Sequence, residues 1–291
     1  MPESHSQRRA GIVLVIAAAV AWSTAPFFTR LLHFDSWTIL FWRGLFGGGA
    51  IAVWLVATQG RSGFRDLIET GRNGWLVAGL STLAMVCFIP ALQLTSVSNV
   101  AIIIATGPFV AAALAWISLR EKARLSTLIA SFVALCGVVI ISGNPGGGSD
   151  ARGIGLACLM TLAIAAMTVV IRRHRQTSMV AAAALSNFLG SLVSIPLAGS
   201  IASVSTTDMM VLAMFGFFQV ATGLTLFVLG SRLLPSGQAS LIATLETPLM
   251  PFWVWLAFQE IPSLRALVGG ALVMSAVVAD IIADTRARRP A

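Results

Sequence analysis

The feature that most constrains the fold of this chain is a series of ten apolar stretches separated by short gaps. A helix that crosses a membrane needs about 20 mainly apolar residues, and each stretch is close to that length. The predicted spans are residues 11–31, 36–57, 74–94, 97–118, 125–142, 153–171, 179–198, 209–231, 238–259 and 265–283. The sequence therefore predicts an all-α integral membrane protein with ten transmembrane helices.

Composition and charge placement also indicate a lipid environment. Charged residues make up 10% of the chain, against about 25% in soluble domains, which is too few to cover a surface that faces water. The net charge of +8 is spread over the short gaps between apolar runs. A nucleic-acid-binding protein instead carries a basic patch on a soluble scaffold. We therefore expect the lipid bilayer as a partner and no nucleic acid.

The distribution of Lys and Arg predicts the orientation of the helices. If the N-terminus lies in the cytoplasm, the cytoplasmic segments hold 15 of the 19 basic residues and the outer segments hold 3, while Arg43 lies within a helix. Basic residues concentrate in cytoplasmic loops, and this bias alternates over every gap. We therefore expect both ends of the chain in the cytoplasm, and the alternation also supports the count of ten.

The two halves of the chain are similar to each other at an offset of 139 residues. The matches are Phe88 with Phe227, Leu94 with Leu233, Ile103 with Ile242, Trp116 with Trp255, Glu121 with Glu260, Leu125 with Leu264, and Val138 and Val139 with Val277 and Val278. This pattern predicts a five-helix repeat over 1–143, a linker over 144–152 and a second repeat over 153–291. Because each half has an odd number of helices, the second half is inverted, a common plan in transporters.

Short motifs occur in a fixed order along the helices. They are Ala21-Trp22-Ser23, Phe41-Trp42-Arg43, Ala91-Leu92, Arg120-Glu121, Val170-Ile171-Arg172-Arg173, Glu246-Thr247-Pro248 and Gln259-Glu260. With these motifs and the duplication, the chain resembles the drug/metabolite transporter superfamily, specifically its ten-helix EamA-type exporters, and within them the YddG-like amino-acid exporters. Helix 9 departs from the usual pattern because Pro251 follows Pro248 by three residues.

The resemblance implies a secondary transporter in the bacterial inner membrane that exports small metabolites, above all amino acids. Transport would proceed by alternating access around a central cavity between the repeats, in a monomer or homodimer, without a cofactor or metal ion. Export of lipophilic cations or drugs, attracted by Glu246, is the alternative. A membrane enzyme is disfavoured because the chain has no HExxH, GxSxG or phosphate-loop motif. A sensor is disfavoured because no gap holds a soluble domain.

Two charged residues within helices are the strongest candidates for substrate binding. Translocon scales put a charge at the bilayer centre at about 2.5–3.5 kcal/mol, so such residues are functional candidates when they face a cavity. Glu246 is predicted near mid-depth, where it binds a substrate ammonium or a proton, or is a neutral Glu bonded between helices. Arg43 is predicted nearer the outer surface, where it binds a carboxylate, snorkels outward or bonds neighbouring carbonyls.

Aromatic and neutral polar residues complete the predicted cavity. Trp22 is predicted near the midplane, where it stacks on a substrate or packs in the core, and Phe88 and Trp253 are further candidates of this kind. The neutral polar candidates, each predicted to contact the substrate or to bond a neighbouring helix, are Asn99, Thr106, Asn187, Gln219 and Thr222.

Two pairs of residues in equivalent or near-equivalent positions of the halves have predicted structural roles, with Pro108 and Pro248 off register by one. Pro108 and Pro248 are predicted hinges, because proline removes helical hydrogen bonds. Glu121 and Glu260 end helices 4 and 9, where each is expected to cap the following helix or meet a nearby Arg.

Small residues within the helices predict close packing rather than chemistry. Gly44 and Gly48 form a small-xxx-small pair, predicted to pack closely within the bundle or in a dimer. Cys87, Cys136 and Cys158 lie inside apolar runs and lack the spacing of a metal site, so they predict neither disulfides nor a metal centre.

Overall fold

The computed structural model describes residues 5–142, 150–175, 179–199 and 201–286. In this part of the chain, ten segments are long and apolar enough to cross a membrane. We number them spans 1 to 10 in chain order: Ser6–Leu31, Ser36–Gln59, Arg72–Leu94, Asn99–Leu119, Leu125–Ser142, Ala151–Arg173, Val180–Leu197, Thr206–Ser231, Ser236–Phe258 and Leu264–Arg286. The predicted ten transmembrane helices are confirmed. Residues 144–149 of the predicted linker lie outside the described residues.

Half of the spans are single helices and half are divided. Spans 2, 3, 5, 6 and 10 are continuous. The divided spans comprise His5–Ser23 with Ala25–Leu31, Val97–Ala105 with Gly107–Leu119, Val180–Ser194 with a 3₁₀ turn Ile195–Leu197, Thr206–Met214 with a π-helical stretch Phe215–Thr222 and Gly223–Ser231, and Ser236–Ala243 with Glu246–Phe258. A short helix, Arg61–Ile68, connects spans 2 and 3, and a 3₁₀ turn, Ile201–Ser203, precedes span 8.

A threonine lies at the break in each of spans 1, 4 and 9. The hydroxyls of Thr24, Thr106 and Thr244 each donate a hydrogen bond of 2.6 Å to the carbonyl three residues earlier. A proline follows each threonine within four residues and removes an amide donor from the next turn. The carbonyl that accepts this hydroxyl also accepts the backbone amide of the same threonine, so the threonine closes the last helical turn before the break.

The backbone repeats the offset of 139 residues that the sequence shows. The second helix of span 4, Gly107–Leu119, corresponds to that of span 9, Glu246–Phe258, residue for residue. Each helix is followed by a residue in the left-handed region, Arg120 at φ 55° and Gln259 at φ 57°. These are the two non-glycine residues with positive φ in the described part of the chain, so the two halves share an unusual turn.

Each left-handed residue precedes a glutamate in an ion pair that joins one repeat to the other. Glu121, after span 4, accepts a hydrogen bond from Arg172 of span 6 at 3.2 Å. Glu260, after span 9, pairs with Arg30 of span 1. The alternative in which each glutamate meets a nearby Arg is therefore confirmed. The two glutamates are equivalent at the offset of 139 residues, and their partners lie in the equivalent spans 1 and 6.

The spans pack in pairs that exchange under the repeat. Span 1 packs on span 8 as span 6 packs on span 3, while span 2 packs on span 7 and span 5 on span 10. Exchanging the halves therefore maps each pair onto another pair or onto itself, as two inverted five-helix repeats require. The Gly44 and Gly48 pair faces span 7 within the bundle: a Cβ on Gly48 would lie 3.1 Å from the Ala184 carbonyl oxygen.

A buried polar network joins spans 5, 9 and 10 to the beginning of span 1. Asp284 pairs with both Arg8 and Arg124, and Gln238 accepts a hydrogen bond from Arg8. One turn earlier in span 10, Asp280 accepts hydrogen bonds of 2.8 Å from Thr127 and from Gln238. The predictions from the sequence do not include this network. The pattern that could have indicated it is an i, i+4 pair of aspartates within an apolar span.

The contact between spans 5 and 10 predicts the effect of adding one methyl group. In Gly137→Ala the new Cβ would lie 2.6 Å from the Gly269 carbonyl oxygen, so the two backbones must separate. We expect the free energy of unfolding to fall by about 1–3 kcal/mol, measured as a lower midpoint of thermal unfolding in detergent. Gly79→Ala is the matched control, because a Cβ there meets nothing within 4 Å. Equal midpoints in the two variants would contradict this packing.

The buried network predicts a second stability effect. Asp284→Ala removes the carboxylate shared by Arg8 and Arg124, and Arg8 is only 5% exposed. Breaking a buried ion pair typically lowers the free energy of unfolding by about 3–5 kcal/mol, so the unfolding midpoint should fall sharply. Glu69→Ala, which breaks the exposed pair with Arg65, should leave it unchanged. If both substitutions have the same effect, the network does not stabilise the bundle.

Candidate functional site

A cavity of about 450 Å³ lies between the two repeats. Its wall is built from spans 1, 2, 3, 4, 6, 8 and 9, while spans 5, 7 and 10 pack outside it. The volume lies within the range of about 300–1,000 Å³ that is typical of small-molecule sites. Most of the wall is apolar, with side chains such as Met85, Leu92, Ile104 and Met160. The polar groups on this wall therefore define what the cavity can bind.

The structure brings five of the ten predicted binding residues together on the cavity wall. They are Trp22, Arg43, Phe88, Gln219 and Glu246. Arg43 and Glu246, predicted at different depths, line the same cavity.

Of the predicted hinges, one lies on the wall and one does not. Pro108 lines the cavity, whereas Pro248 packs beside Gly270. The backbone breaks lie at Thr106 and at Thr244 and Leu245, just before the two prolines.

Three of the predicted polar residues lie off the wall because their side chains bond locally. Asn99 donates to the Thr95 hydroxyl at 3.0 Å, near the beginning of span 4. The Thr106 hydroxyl bonds the Ile103 carbonyl at the break in span 4. The Thr222 hydroxyl donates to the Phe217 carbonyl at 3.1 Å within the π-helical stretch. A sequence pattern cannot distinguish these local bonds from a cavity-facing side chain, since short polar side chains readily bond a nearby backbone.

Two more predicted residues bond within the bundle instead of lining the cavity. Asn187 is fully buried in span 7 and donates to the Ala183 carbonyl of its own helix at 2.9 Å. The Trp253 indole N–H donates to the Ser23 hydroxyl at 2.7 Å, which connects span 9 to span 1.

The aromatic part of the wall depends on a glycine in span 8. The Trp22 ring contacts Phe227, with ring centroids 5.0 Å apart. A Cβ on Gly223 would lie 2.5 Å from the Trp22 ring, so any other residue at 223 would displace the tryptophan. Phe227 is the repeat partner of Phe88, and both line the cavity. The offset of 139 residues is therefore the signal that could have identified Phe227 from the sequence.

Gln219 lies on the wall in the middle of the π-helical stretch of span 8. Such stretches are rare and occur frequently at functional sites. The stretch approaches span 2 closely: a Cβ on Gly216 would lie 2.7 Å from the Arg43 carbonyl oxygen. Phe215, at the start of the stretch, lies under the Arg43 guanidinium, with 5.4 Å from its carbon to the ring centre. The stretch therefore places Gln219 and Arg43 in the same region of the wall.

Five hydroxyl-bearing residues on the wall are not among the predicted binding residues. Ser81 lies on span 3, Thr161 lies on span 6, and Ser240, Thr244 and Thr247 lie on span 9. Ser240, Thr244 and Thr247 follow the i, i+4, i+7 spacing of one helix face, and all three line the cavity. This spacing was visible in the sequence beside Glu246.

Several polar side chains of the wall lack protein partners. Within the described part of the chain, the side chains of Glu246, Gln219, Ser240 and Thr247 have no hydrogen-bond or ion-pair partner. The guanidinium of Arg43 contacts the Phe215 ring, and its buried Nε has no hydrogen-bond partner among those residues. Polar groups away from bulk water are normally hydrogen-bonded. This cavity therefore presents an anionic, a cationic and several neutral groups to whatever occupies it.

The described residues contain no group of three or more His, Cys, Asp or Glu placed to hold a metal ion. The three cysteines are free thiols. The groups gathered at the cavity are suited to reversible binding through charge, hydrogen bonds and aromatic contact.

Two inverted five-helix repeats enclose a central, mainly apolar cavity with several polar groups on its wall, an arrangement suited to a membrane transporter of small molecules. The EamA-like transporter family model matches residues 9–143 and again residues 151–279, so the chain belongs to this family. A solved structure, described only as a crystal structure of a protein, is similar with a TM-score of 0.82 and 16% sequence identity, over 97% of this chain and 99% of that chain. At this identity the likeness shows the fold alone. No curated protein matches the chain.

Proposed function

We propose that this protein exports small metabolites, and amino acids in particular, by alternating access of its two repeats around the central cavity. We further propose that the chain is oriented with both ends in the cytoplasm of a bacterial inner membrane, as the distribution of Lys and Arg predicts. The units that alternate are the repeats 1–143 and 153–291.

The observation that carries the substrate class is the pair of opposite charges on one wall. Arg43 and Glu246 both line the cavity, and within the described residues neither has an ion-pair partner. An isolated charge in a membrane helix is unfavourable by about 2.5–3.5 kcal/mol. A zwitterion supplies a carboxylate for Arg43 and an ammonium for Glu246. A bound amino acid therefore offsets the unfavourable free energy of both isolated charges.

The breaks in spans 4 and 9 support the proposed mechanism. Both spans line the cavity on each side of their breaks, with Ile104 and Pro108 in span 4 and Ala243 and Glu246 in span 9. A broken helix bends at its break more easily than a continuous one, because the local hydrogen bonds are already missing. We therefore assign the hinges to Thr106 and to Thr244 with Leu245, each just ahead of Pro108 or Pro248.

A second candidate function is export of lipophilic cations. The mainly apolar wall with one carboxylate, Glu246, supports it, since aromatic side chains such as Trp22 also attract cations. Arg43 on the same wall argues against it, because a fixed positive charge repels a cation.

Counterflow in proteoliposomes tests the substrate class. Vesicles that contain the purified protein and are preloaded with unlabelled amino acid should accumulate the same labelled amino acid, while empty vesicles should not. Because the cavity presents both charges, we expect amino acids to exchange and tetraphenylphosphonium not to. Exchange of tetraphenylphosphonium, without exchange of any amino acid in a broad panel, would overturn the proposal in favour of the second candidate.

Neutral substitutions of the two charges test the binding mode. Glu246→Gln and Arg43→Gln should each raise the KM for the exchanged amino acid by about tenfold or more, because a hydrogen bond to a charged group contributes about 1.5–3 kcal/mol. Glu260→Gln is the control, since its carboxylate pairs with Arg30 away from the cavity. Unchanged KM in both cavity variants would refute the zwitterion binding mode.

A further inference from the structure

The cavity wall is built from equivalent positions of the two repeats. At the offset of 139 residues, nine pairs of positions line it on both sides. Three of these pairs join span 3 to span 8, five join span 4 to span 9, and one, Trp22 with Thr161, joins span 1 to span 6. The pairs Phe88 with Phe227 and Ala101 with Ser240 are examples. The cavity therefore lies on the pseudo-twofold axis, and its two sides have the same architecture.

The two sides differ in chemistry where spans 4 and 9 correspond. Span 4 contributes Ala101, Ala105, Gly107 and Pro108 to the wall. At the equivalent positions span 9 contributes Ser240, Thr244, Glu246 and Thr247. Four apolar or side-chain-free positions on one side thus correspond to four polar positions on the other. The repeat makes these positions equivalent in the fold, so it does not account for the difference between their side chains.

The hydroxyls of span 9 are available to a ligand. The Thr244 hydroxyl bonds the Leu241 carbonyl, but the hydroxyls of Ser240 and Thr247 have no hydrogen-bond partner among the described residues. Ser240 lies before the break in span 9, and Thr247 lies after it. Together with Glu246 they form a polar stripe, which we define as Ser240, Glu246 and Thr247. A hydroxyl both donates and accepts hydrogen bonds, so the stripe suits several polar groups along one edge of a molecule.

We propose that this polar stripe fixes the orientation of the bound substrate, and that Ser240 and Thr247 are specificity-determining residues. The inference rests on the proposed function, since it assigns an orientation to the transported molecule. The substrate class is an amphipathic small molecule with its hydrogen-bonding edge on span 9 and its apolar face on span 4. Glu246 binds the ammonium group, and the hydroxyls of Ser240 and Thr247 accept from this ammonium or donate to the carboxylate that Arg43 also binds.

Removal and relocation of a hydroxyl test the orientation. The probe is labelled L-leucine in counterflow. Ser240→Ala and Thr247→Val should each raise KM by about 2- to 12-fold, which corresponds to the loss of one hydrogen bond of about 0.5–1.5 kcal/mol. The double variant Ser240→Ala with Ala101→Ser restores the hydroxyl at the equivalent position of the other side, and it should not recover the wild-type KM. Thr222→Val, which removes a hydroxyl that bonds within span 8, is the control and should leave KM unchanged.

The outcomes separate this inference from the proposed function. If leucine exchanges but neither single variant changes KM, the proposed orientation of the substrate is wrong. The same holds if the relocated hydroxyl restores the wild-type KM. In both cases the proposal of amino-acid transport is unaffected. If tetraphenylphosphonium alone exchanges, amino-acid transport fails. That cation has no hydrogen-bonding group, so Ser240→Ala should then leave its KM unchanged, and the assignment of Ser240 and Thr247 falls as well. Native mass spectrometry of the purified variants confirms that each is folded before flux is compared.

Discussion

The absence of water in the hydrocarbon core is the constraint on which the rest of this structure depends. Each backbone N–H and C=O within a span needs a partner inside the protein, which is why the described chain is a bundle of helices. Where spans 1, 4 and 9 are broken, a threonine hydroxyl bonds a carbonyl of the interrupted turn. Each of these three carbonyls therefore has a side-chain partner within the protein at the break.

The same constraint gives meaning to the polar groups that have no partner. Several ionic side chains elsewhere in the bundle are joined, as in the network around Asp284 and in the two ion pairs between the repeats. On the cavity wall, Arg43 and Glu246 are unpaired within the described residues. The joined charges hold spans together, whereas the two charges on the wall have no such role.

The sequence predicted the spans, the duplication and the inverted plan, because run length, charge alternation and spacing are properties of the chain itself. It also placed Trp22, Arg43, Phe88, Gln219 and Glu246 among the candidates that the structure gathers on one wall. It did not separate them from Asn99, Thr106 and Thr222, whose side chains bond near their own backbone. It also did not separate them from Asn187, which bonds its own helix, and Trp253, which bonds Ser23. Which way a polar side chain turns is decided by neighbours that are distant in sequence.

Two features had no counterpart in the sequence reasoning. The π-helical stretch of span 8 depends on close contacts of Gly216 and Gly223 with spans 2 and 1, which a single-helix pattern does not record. The hydroxyls of Ser240 and Thr247 were visible as a helix face beside Glu246, but only the cavity shows that the face is turned inward. The role of a residue in a packed bundle is therefore clearer when its position is compared with the equivalent position of the other half.

The pairing of wall positions across the pseudo-twofold axis has a consequence for whether the two halves can be identical chains or must be joined in one polypeptide. A single five-span half supplies one side of the cavity, so identical halves would have to insert into the membrane in opposite directions to enclose it. Both sides would then carry the same residues, and any gain of polarity on one would appear on the other. Joining the halves in one polypeptide removes this coupling. Each half then keeps one direction of insertion, and span 9 is free to acquire Glu246 where span 4 retains Gly107.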